Sequence, residues 1–188
     1  MKEYYSQHVK EYRRRMRLRG EIINKIEGHE YSNAENAAFE LVNQLNPTHF
    51  VTLQLKQQRQ IKANNGWSVW VRGDDAVYYQ AYQSFVQALS KRTQPKSLWQ
   101  SQKLTIGNAG ILEGGFGRMR NHMHLVLTKP ANLNEIYFRG TICMLAECGS
   151  WLMGGEFGVN IQRIRTAKDQ INATFYSAKR GIDRIMIA

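Results

Sequence analysis

Residues 121–128 (NHMHLVLT) carry two histidines separated by one residue, with the apolar Met123, Leu125 and Leu127 at every second position. Successive side chains of a β-strand point to opposite faces, so His122 and His124 share one face and the intervening apolar residues share the other. The glycine-containing stretch 114–120 (GGFGRMR) connects this segment to residues 103–113 (KLTIGNAGILE). Glycines supply the positive φ angles of a tight connection, and the pattern therefore predicts a β-hairpin with both imidazoles on its non-core side.

Sequence patterns typical of helices occur on both sides of this hairpin. Ser32 and Glu35 have capping-box spacing, and Asp74 or Asp75 can cap a long helix. The polar stretch 57–75 (QQRQIKANNGWSVWVRGDD) predicts a loop. The predicted helices span residues 5–27, 33–45, 75–91 (with Val77, Ala81, Phe85 and Leu89 at core spacing), 133–149 and 167–180, and further strands are predicted at 48–55 and 158–165.

From residue 47 onward the predicted order is β-α-β-β-α-β followed by a terminal helix. This order is typical of an α+β domain with a central antiparallel-rich sheet of about five strands, RRM-like, with helices on one face and the other face open. We assign residues 1–46 to a basic N-terminal helical extension and residues 47–188 to this domain.

The net charge of +11 is the first indication of function. Such a field attracts polyanions, chiefly nucleic acid or an anionic membrane. No apolar run reaches the roughly 18 residues of a membrane span, and the first 20 residues lack the apolar centre of a signal peptide, so we expect a cytoplasmic protein. Cys143 and Cys148, five residues apart in a helical pattern, are expected to be free buried thiols.

The two histidines are candidate metal ligands. His122 and His124 each offer a neutral nitrogen lone pair, which suits a divalent cation. Glu113 ends the preceding predicted strand, where hairpin pairing can bring its carboxylate beside them. Two nitrogens and one oxygen leave coordination positions open, as a catalytic metal requires. The alternative is two unrelated surface histidines and an ordinary charge at a turn.

Tyr176 and Lys179 lie three residues apart in the last predicted helix, in the sequence TFYSAKRG. Their side chains would share one helix face, and the cation would favour a phenolate nucleophile and stabilise charge on a phosphate. The alternative is a tyrosine at the edge of the core beside a solvated lysine.

Taken in order, these motifs resemble the HUH endonucleases, specifically the single-tyrosine initiators of rolling-circle replication. The similarity covers residues 48–181: a strand containing Phe50-Val51-Thr52-Leu53, then Glu113 followed by His122-Met123-His124, then Tyr176 with Lys179. The chain departs from two-tyrosine members of the family, because Asn172 and Arg180 occupy the positions one helical turn from Tyr176.

The resemblance implies a nicking enzyme. Glu113, His122 and His124 would hold Mg²⁺ or Mn²⁺, Tyr176 would attack the scissile phosphate to give a 5′-phosphotyrosine, and Lys179 would offset the developing charge. The substrate would be single-stranded DNA or an origin hairpin. No G-x-x-x-x-G-K-[ST] loop occurs in the sequence, so a host helicase and polymerase would be partners. Candidate DNA-binding residues are Arg13, Arg14, Arg15, Arg118 and Arg120 for phosphates and Trp67 and Trp70 for base stacking.

Two other functions fit the same residues. A hydrolytic metal-dependent nuclease would use the His-His-Glu set with activated water and would need no tyrosine. A non-catalytic nucleic-acid-binding domain would need neither metal nor tyrosine, although the strands lack the aromatic-rich signature of RNA-recognition sheets.

Overall fold

A computed structural model of the chain describes residues 25–26, 29–30, 33–64, 66–97, 106–113, 121–166, 169–170, 172–174 and 185–186. Most of the helix predicted over residues 5–27 lies outside these ranges. Its last part was predicted wrongly, because residues 25–26 pair with residues 29–30 as a short antiparallel ladder.

In the described part of the chain, helices separate groups of two or three strands. In chain order they are β1 (Lys25–Ile26), β2 (His29–Glu30), α1 (Asn33–Gln44), β3 (His49–Gln54), β4 (Gln58–Lys62), β5 (Ser68–Arg72), α2 (Asp75–Thr93), β6 (Asn108–Glu113), β7 (His122–Leu127), α3 (Glu135–Cys148), β8 (Val159–Arg163) and β9 (Ile185–Met186).

The central sheet is antiparallel throughout. Its four strands of five or six residues lie in the order β8-β3-β7-β6, and the two-residue β9 pairs with the outer edge of β6. The prediction of an α+β domain with an antiparallel sheet is therefore confirmed.

Side-chain alternation divides the sheet into two faces. One face of β3 and β7 presents fully buried leucines, a valine and a methionine to α2 and α3, and the full burial of a side chain such as Leu125 contributes about 1.5–3 kcal/mol. The centre of this core consists of Val51, Leu53, Leu55, Tyr78, Tyr82, Phe85, Val86, Leu89, Met123, Leu125, Leu127, Phe138 and Ile142.

The core face of α2 differs from the prediction. Phe85 and Leu89 are buried as expected, but Val77 and Ala81 are only partly buried, and Tyr78 and Tyr82 occupy the core instead. Both tyrosines can be buried because their hydroxyls are hydrogen-bonded, Tyr78 to the Lys56 carbonyl at 3.2 Å and Tyr82 to the Met186 carbonyl at 2.8 Å.

Helices do not lie on one face alone, which corrects a second prediction. On the opposite face of the sheet, Ala109 of β6 and Val126 of β7 pack against Val42 of α1 and against Ala173. This face is therefore partly covered at one end.

The predicted helix starts at Asp74 and near residue 133 are confirmed by their caps. The Asp74 carboxylate accepts a 2.8 Å hydrogen bond from the Val77 backbone, and the Asn134 side chain accepts one of 2.8 Å from the Ile136 backbone. Cys143 and Cys148 are free, as predicted, but both are exposed rather than buried.

The prediction of a loop over residues 57–75 is wrong. Residues 58–62 and 68–72 form the antiparallel β4–β5 hairpin, a two-stranded sheet separate from the central one. Trp70 lies on β5 directly opposite Gln60, and Trp67 precedes β5.

Candidate metal centre

The pairing of β6 with β7 brings the candidate ligands together. Glu113 lies directly opposite His122 in the ladder, and His124 follows two residues later on the same face. On the other side of β7, Thr52 of β3 lies opposite His124. The ligand set therefore lies on the sheet face that does not contact α2 and α3.

The three ligands form a compact group. The Nε2 atom of His122 lies 3.6 Å and that of His124 lies 3.4 Å from the Glu113 Oε2 atom. The two imidazole rings are nearly perpendicular, with centroids 4.7 Å apart. His124 and Glu113 are buried, and His122 is partly exposed, with 17% of its side-chain surface accessible.

The donor set fits a divalent cation. One donor atom from each of Glu113, His122 and His124 can be chosen so that all lie within 4.8 Å of one another. Ligands about 2.1 Å from a metal are separated from each other by roughly 3.0–3.4 Å, and the two nitrogen–oxygen separations of 3.6 and 3.4 Å are already close to that range. Three protein ligands leave positions for water or substrate, as in catalytic sites.

A second layer of contacts holds His124. The Thr52 Oγ1 atom lies 2.9 Å from His124 Nδ1, and the Phe50 ring stacks on the imidazole at a centroid distance of 5.3 Å and an angle of 12°. When Nε2 offers its lone pair to a metal, the proton resides on Nδ1 and is donated to the Thr52 hydroxyl. The sequence did not identify Thr52 as a contact of His124, because the pairing of β3 with β7 cannot be read from the alternation of either strand.

The residues before Tyr176 approach the same sheet face. Residues 169–170 and 172–174 are helical, and the start is fixed by reciprocal bonds between Thr166 and Asp169 of 2.9 and 3.1 Å. Ala173 packs against Ala109 and Val126 on the face that carries the ligand set.

Several predicted residues cannot be placed relative to the metal centre, because they lie outside the residues that the structure describes. They are Tyr176, Lys179, Arg13, Arg14, Arg15, Arg118 and Arg120. Trp67 and Trp70 are described and are 74% and 65% exposed; Trp70 lies on β5 of the hairpin, and Trp67 lies in the connection between β4 and β5.

A second histidine–carboxylate pair lies at the other end of β3. His49 is fully buried, its Nε2 atom donates a 2.9 Å hydrogen bond to Glu135, and its ring packs on Phe138. Burial lowers the pKa of His49 and outweighs the opposing effect of the carboxylate. Burial also pushes the pKa of Glu135 upward, but the bond from His49 and the nearby cations leave it below its usual value. Both ring nitrogens of His49 have a partner, Thr48 and Glu135, whereas the second carboxylate oxygen of Glu135 is buried without a hydrogen bond.

No helix among the described residues is long and apolar enough to cross a membrane. Comparisons with protein-family models, with characterised proteins and with solved structures find no match to this chain.

Proposed function

We propose that this protein is a metal-dependent single-stranded DNA nickase of the HUH type, which joins Tyr176 covalently to the DNA that it cuts. The observation that carries the proposal is the cluster of Glu113, His122 and His124 on one face of an antiparallel sheet. An RRM-like sheet of five strands, with α2 and α3 behind it, is the architecture that this proposal requires.

The three ligands would hold Mg²⁺ or Mn²⁺, and a bound ion supplies Lewis acidity toward a phosphate oxygen. His122 is the least buried of the three ligands, which suits a site that must admit a DNA strand. Thr52 would keep the proton of His124 on Nδ1 and so keep Nε2 available as a ligand.

The protein's own chemistry would be a transesterification. The Tyr176 oxygen forms a bond to phosphorus while the bond from phosphorus to O3′ breaks, and the departing O3′ takes a proton to become a free 3′-hydroxyl. The phosphodiester energy is retained in the 5′-phosphotyrosine, so the same site can rejoin the strand. Lys179 would stabilise the negative charge that develops on the phosphate.

This scheme requires the tyrosine to reach the ligand set. Ala173 packs beside Val126, which lies two strand positions, roughly 7 Å, from His124. The described segment that leads to Tyr176 is therefore held on the sheet face that carries the ligand set, which supports the proposal.

The charge of +11 supports a polyanionic substrate. Arg118 and Arg120, in the connection between β6 and β7, remain our candidates for phosphate contacts near the cluster, and Arg13, Arg14 and Arg15 for contacts farther along the strand. A host helicase and polymerase would complete the replication reaction.

The test is cleavage of a labelled single-stranded oligonucleotide carrying the replication origin. We expect Mn²⁺-dependent nicking and an SDS-resistant protein–DNA adduct, both abolished by Tyr176→Phe and by chelation. Tyr79→Phe is the matched control, since Tyr79 is a partly exposed tyrosine on α2, and it should leave nicking unchanged.

The alternatives give different results. Cleavage by Tyr176→Phe at the wild-type rate, without an adduct, would identify a hydrolytic nuclease that uses activated water. DNA binding with no cleavage in any divalent metal would identify a non-catalytic binding domain.

A further inference from the structure

The β4–β5 hairpin has two chemically different faces. The face that carries Arg59, Ile61 and Val71 lies against α2 and α3, where these side chains line a cavity of about 530 Å³ and Arg59 stacks over the Trp151 ring at 5.0 Å. The opposite face is exposed at every position. Its members are Gln58, Gln60, Lys62, Ser68, Trp70 and Arg72.

Trp70 lies at the centre of this outer face. It is 65% exposed and lies directly opposite Gln60. Lys62 is its diagonal neighbour on β4, at a typical separation of roughly 7–8 Å, and Arg72 follows two residues along β5 on the same face. The ring is therefore flanked by a cation on either side along the hairpin.

The charge on this segment has one sign. Residues 56–73 contain four lysines and arginines and no aspartate or glutamate. Glutamines and a serine, rather than further apolar residues, separate the cations on the outer face. A membrane-binding hairpin would present a larger apolar area, whereas alternating cations, amides and a single aromatic ring suit a polymer of phosphates and flat bases.

The hairpin is anchored beside the metal centre. Gly73 donates a 3.0 Å hydrogen bond to the Gln57 carbonyl and closes the base of the hairpin. The Tyr78 hydroxyl donates to the Lys56 carbonyl and accepts from the Asn121 side chain at 3.0 Å, and Asn121 immediately precedes the ligand His122. A strand held on the hairpin would therefore begin at the sheet end where Glu113 and His122 lie.

We propose that the outer face of the β4–β5 hairpin is a binding surface for single-stranded DNA, in which Trp70 stacks on a base while Lys62 and Arg72 contact the flanking phosphates. The choice of DNA rests on the proposed function, but the surface itself requires neither metal nor cleavage. Duplex DNA offers no unstacked base, so it should gain little from Trp70.

Trp67 provides an internal control on the same hairpin. It is 74% exposed and lies just before β5, where the alternation of that strand continues the series of Val69 and Val71 rather than that of Trp70; Val69 is itself 42% exposed. The proposal therefore assigns stacking to Trp70 and not to Trp67, although both rings are exposed.

The test measures the affinity of the full chain for a labelled oligothymidylate of about 15 nucleotides in EDTA, so that no cleavage occurs. Trp70→Ala should weaken binding by about 5- to 100-fold, and Trp70→Phe should recover most of it. Trp67→Ala should change affinity by less than about twofold. Lys62→Ala should lower the slope of log affinity against log salt by about 0.7, whereas Lys96→Ala, at an exposed site on another segment, should not.

Unchanged affinity in a folded Trp70→Ala protein would overturn the proposal, as would equal losses from Trp70→Ala and Trp67→Ala. If Trp70→Ala loses binding to phosphatidylserine vesicles but keeps its affinity for oligothymidylate, the hairpin binds a membrane surface instead. If the protein never nicks DNA but Trp70→Ala still loses affinity, the nickase proposal fails and the binding surface stands.

Discussion

The Thr52 hydroxyl is the contact whose removal tests the metal centre with the least structural disturbance. It lies 2.9 Å from His124 Nδ1, and Thr52 faces His124 across the β3–β7 ladder. Thr52→Val keeps a β-branched side chain that suits the strand but removes the group that fixes the imidazole proton.

The Thr52 hydroxyl and the Phe50 ring both contact the His124 imidazole, and the substitution removes only the first. Loss of an outer-layer partner of a metal ligand typically lowers metal affinity by about 10- to 100-fold, or about 1.4–2.8 kcal/mol. Because Phe50 still stacks on the ring at 5.3 Å, we expect Thr52→Val to lie near the tenfold end of that range.

Isothermal titration of the full chain with Mn²⁺ at neutral pH measures the change directly. Thr141→Val is the matched control, because it removes a buried threonine hydroxyl that bonds only the backbone of α3, at 2.8 Å to the Tyr137 carbonyl. The control should bind Mn²⁺ as the wild type does, and His124→Ala should bind at least 100-fold more weakly, roughly the cost of a lost ligand.

Wild-type affinity in Thr52→Val, alongside weak binding in His124→Ala, would refute the orienting role of the hydroxyl. Wild-type affinity in both variants would refute the metal centre itself.

Further expectations concern the ligand set, the buried histidine and the terminal helix. Glu113→Gln should abolish detectable Mn²⁺ binding by calorimetry, whereas Glu156→Gln, at an exposed turn, should leave it intact. The free energy of unfolding, measured in urea, should fall as the pH drops below about 6.5. Burial lowers the pKa of His49, so the unfolded chain binds more protons than the folded one in this range. The free energy of unfolding should change by at most about 1.4 kcal/mol per pH unit, and His49→Gln should reduce this dependence. Asp169→Ala should cost about 1 kcal/mol in the same unfolding assay and slow nicking, while Mn²⁺ affinity stays unchanged; equal loss of metal binding would show that the capping box acts on the ligand set instead.

The sequence was most informative where its side chains alternate sharply. His122, Met123 and His124 predicted both the strand and its two faces, and the observed pairing with Glu113 follows from the hairpin that the glycines indicated. Capping residues such as Asp74 located the helix starts for the same reason, since their effect is local.

The β4–β5 hairpin was missed because its alternation separates exposed polar residues from a weakly apolar inner face. Arg59 occupies a position on that inner face, where its guanidinium stacks on Trp151 instead of entering solvent. A prediction based on hydrophobic periodicity alone therefore assigns the segment to a loop.

The burial of Tyr78 and Tyr82 also depends on contacts distant in the sequence. The Tyr78 hydroxyl bonds the Lys56 carbonyl and the Asn121 side chain, and the Tyr82 hydroxyl bonds the Met186 carbonyl and the Asn108 side chain. Likewise, Thr52 supports His124 through a ladder between segments 72 residues apart, which no local pattern encodes.

The covalent step is tested most directly by mass spectrometry of the protein after reaction with single-stranded origin DNA and Mn²⁺. Trypsin releases residues 169–179 (DQINATFYSAK) as one peptide with a single tyrosine. Our account predicts that this peptide carries a nucleotide phosphate on Tyr176 after nuclease trimming. Cleaved DNA alongside an entirely unmodified peptide would contradict it, as would a nucleotide on Thr174 or Ser177.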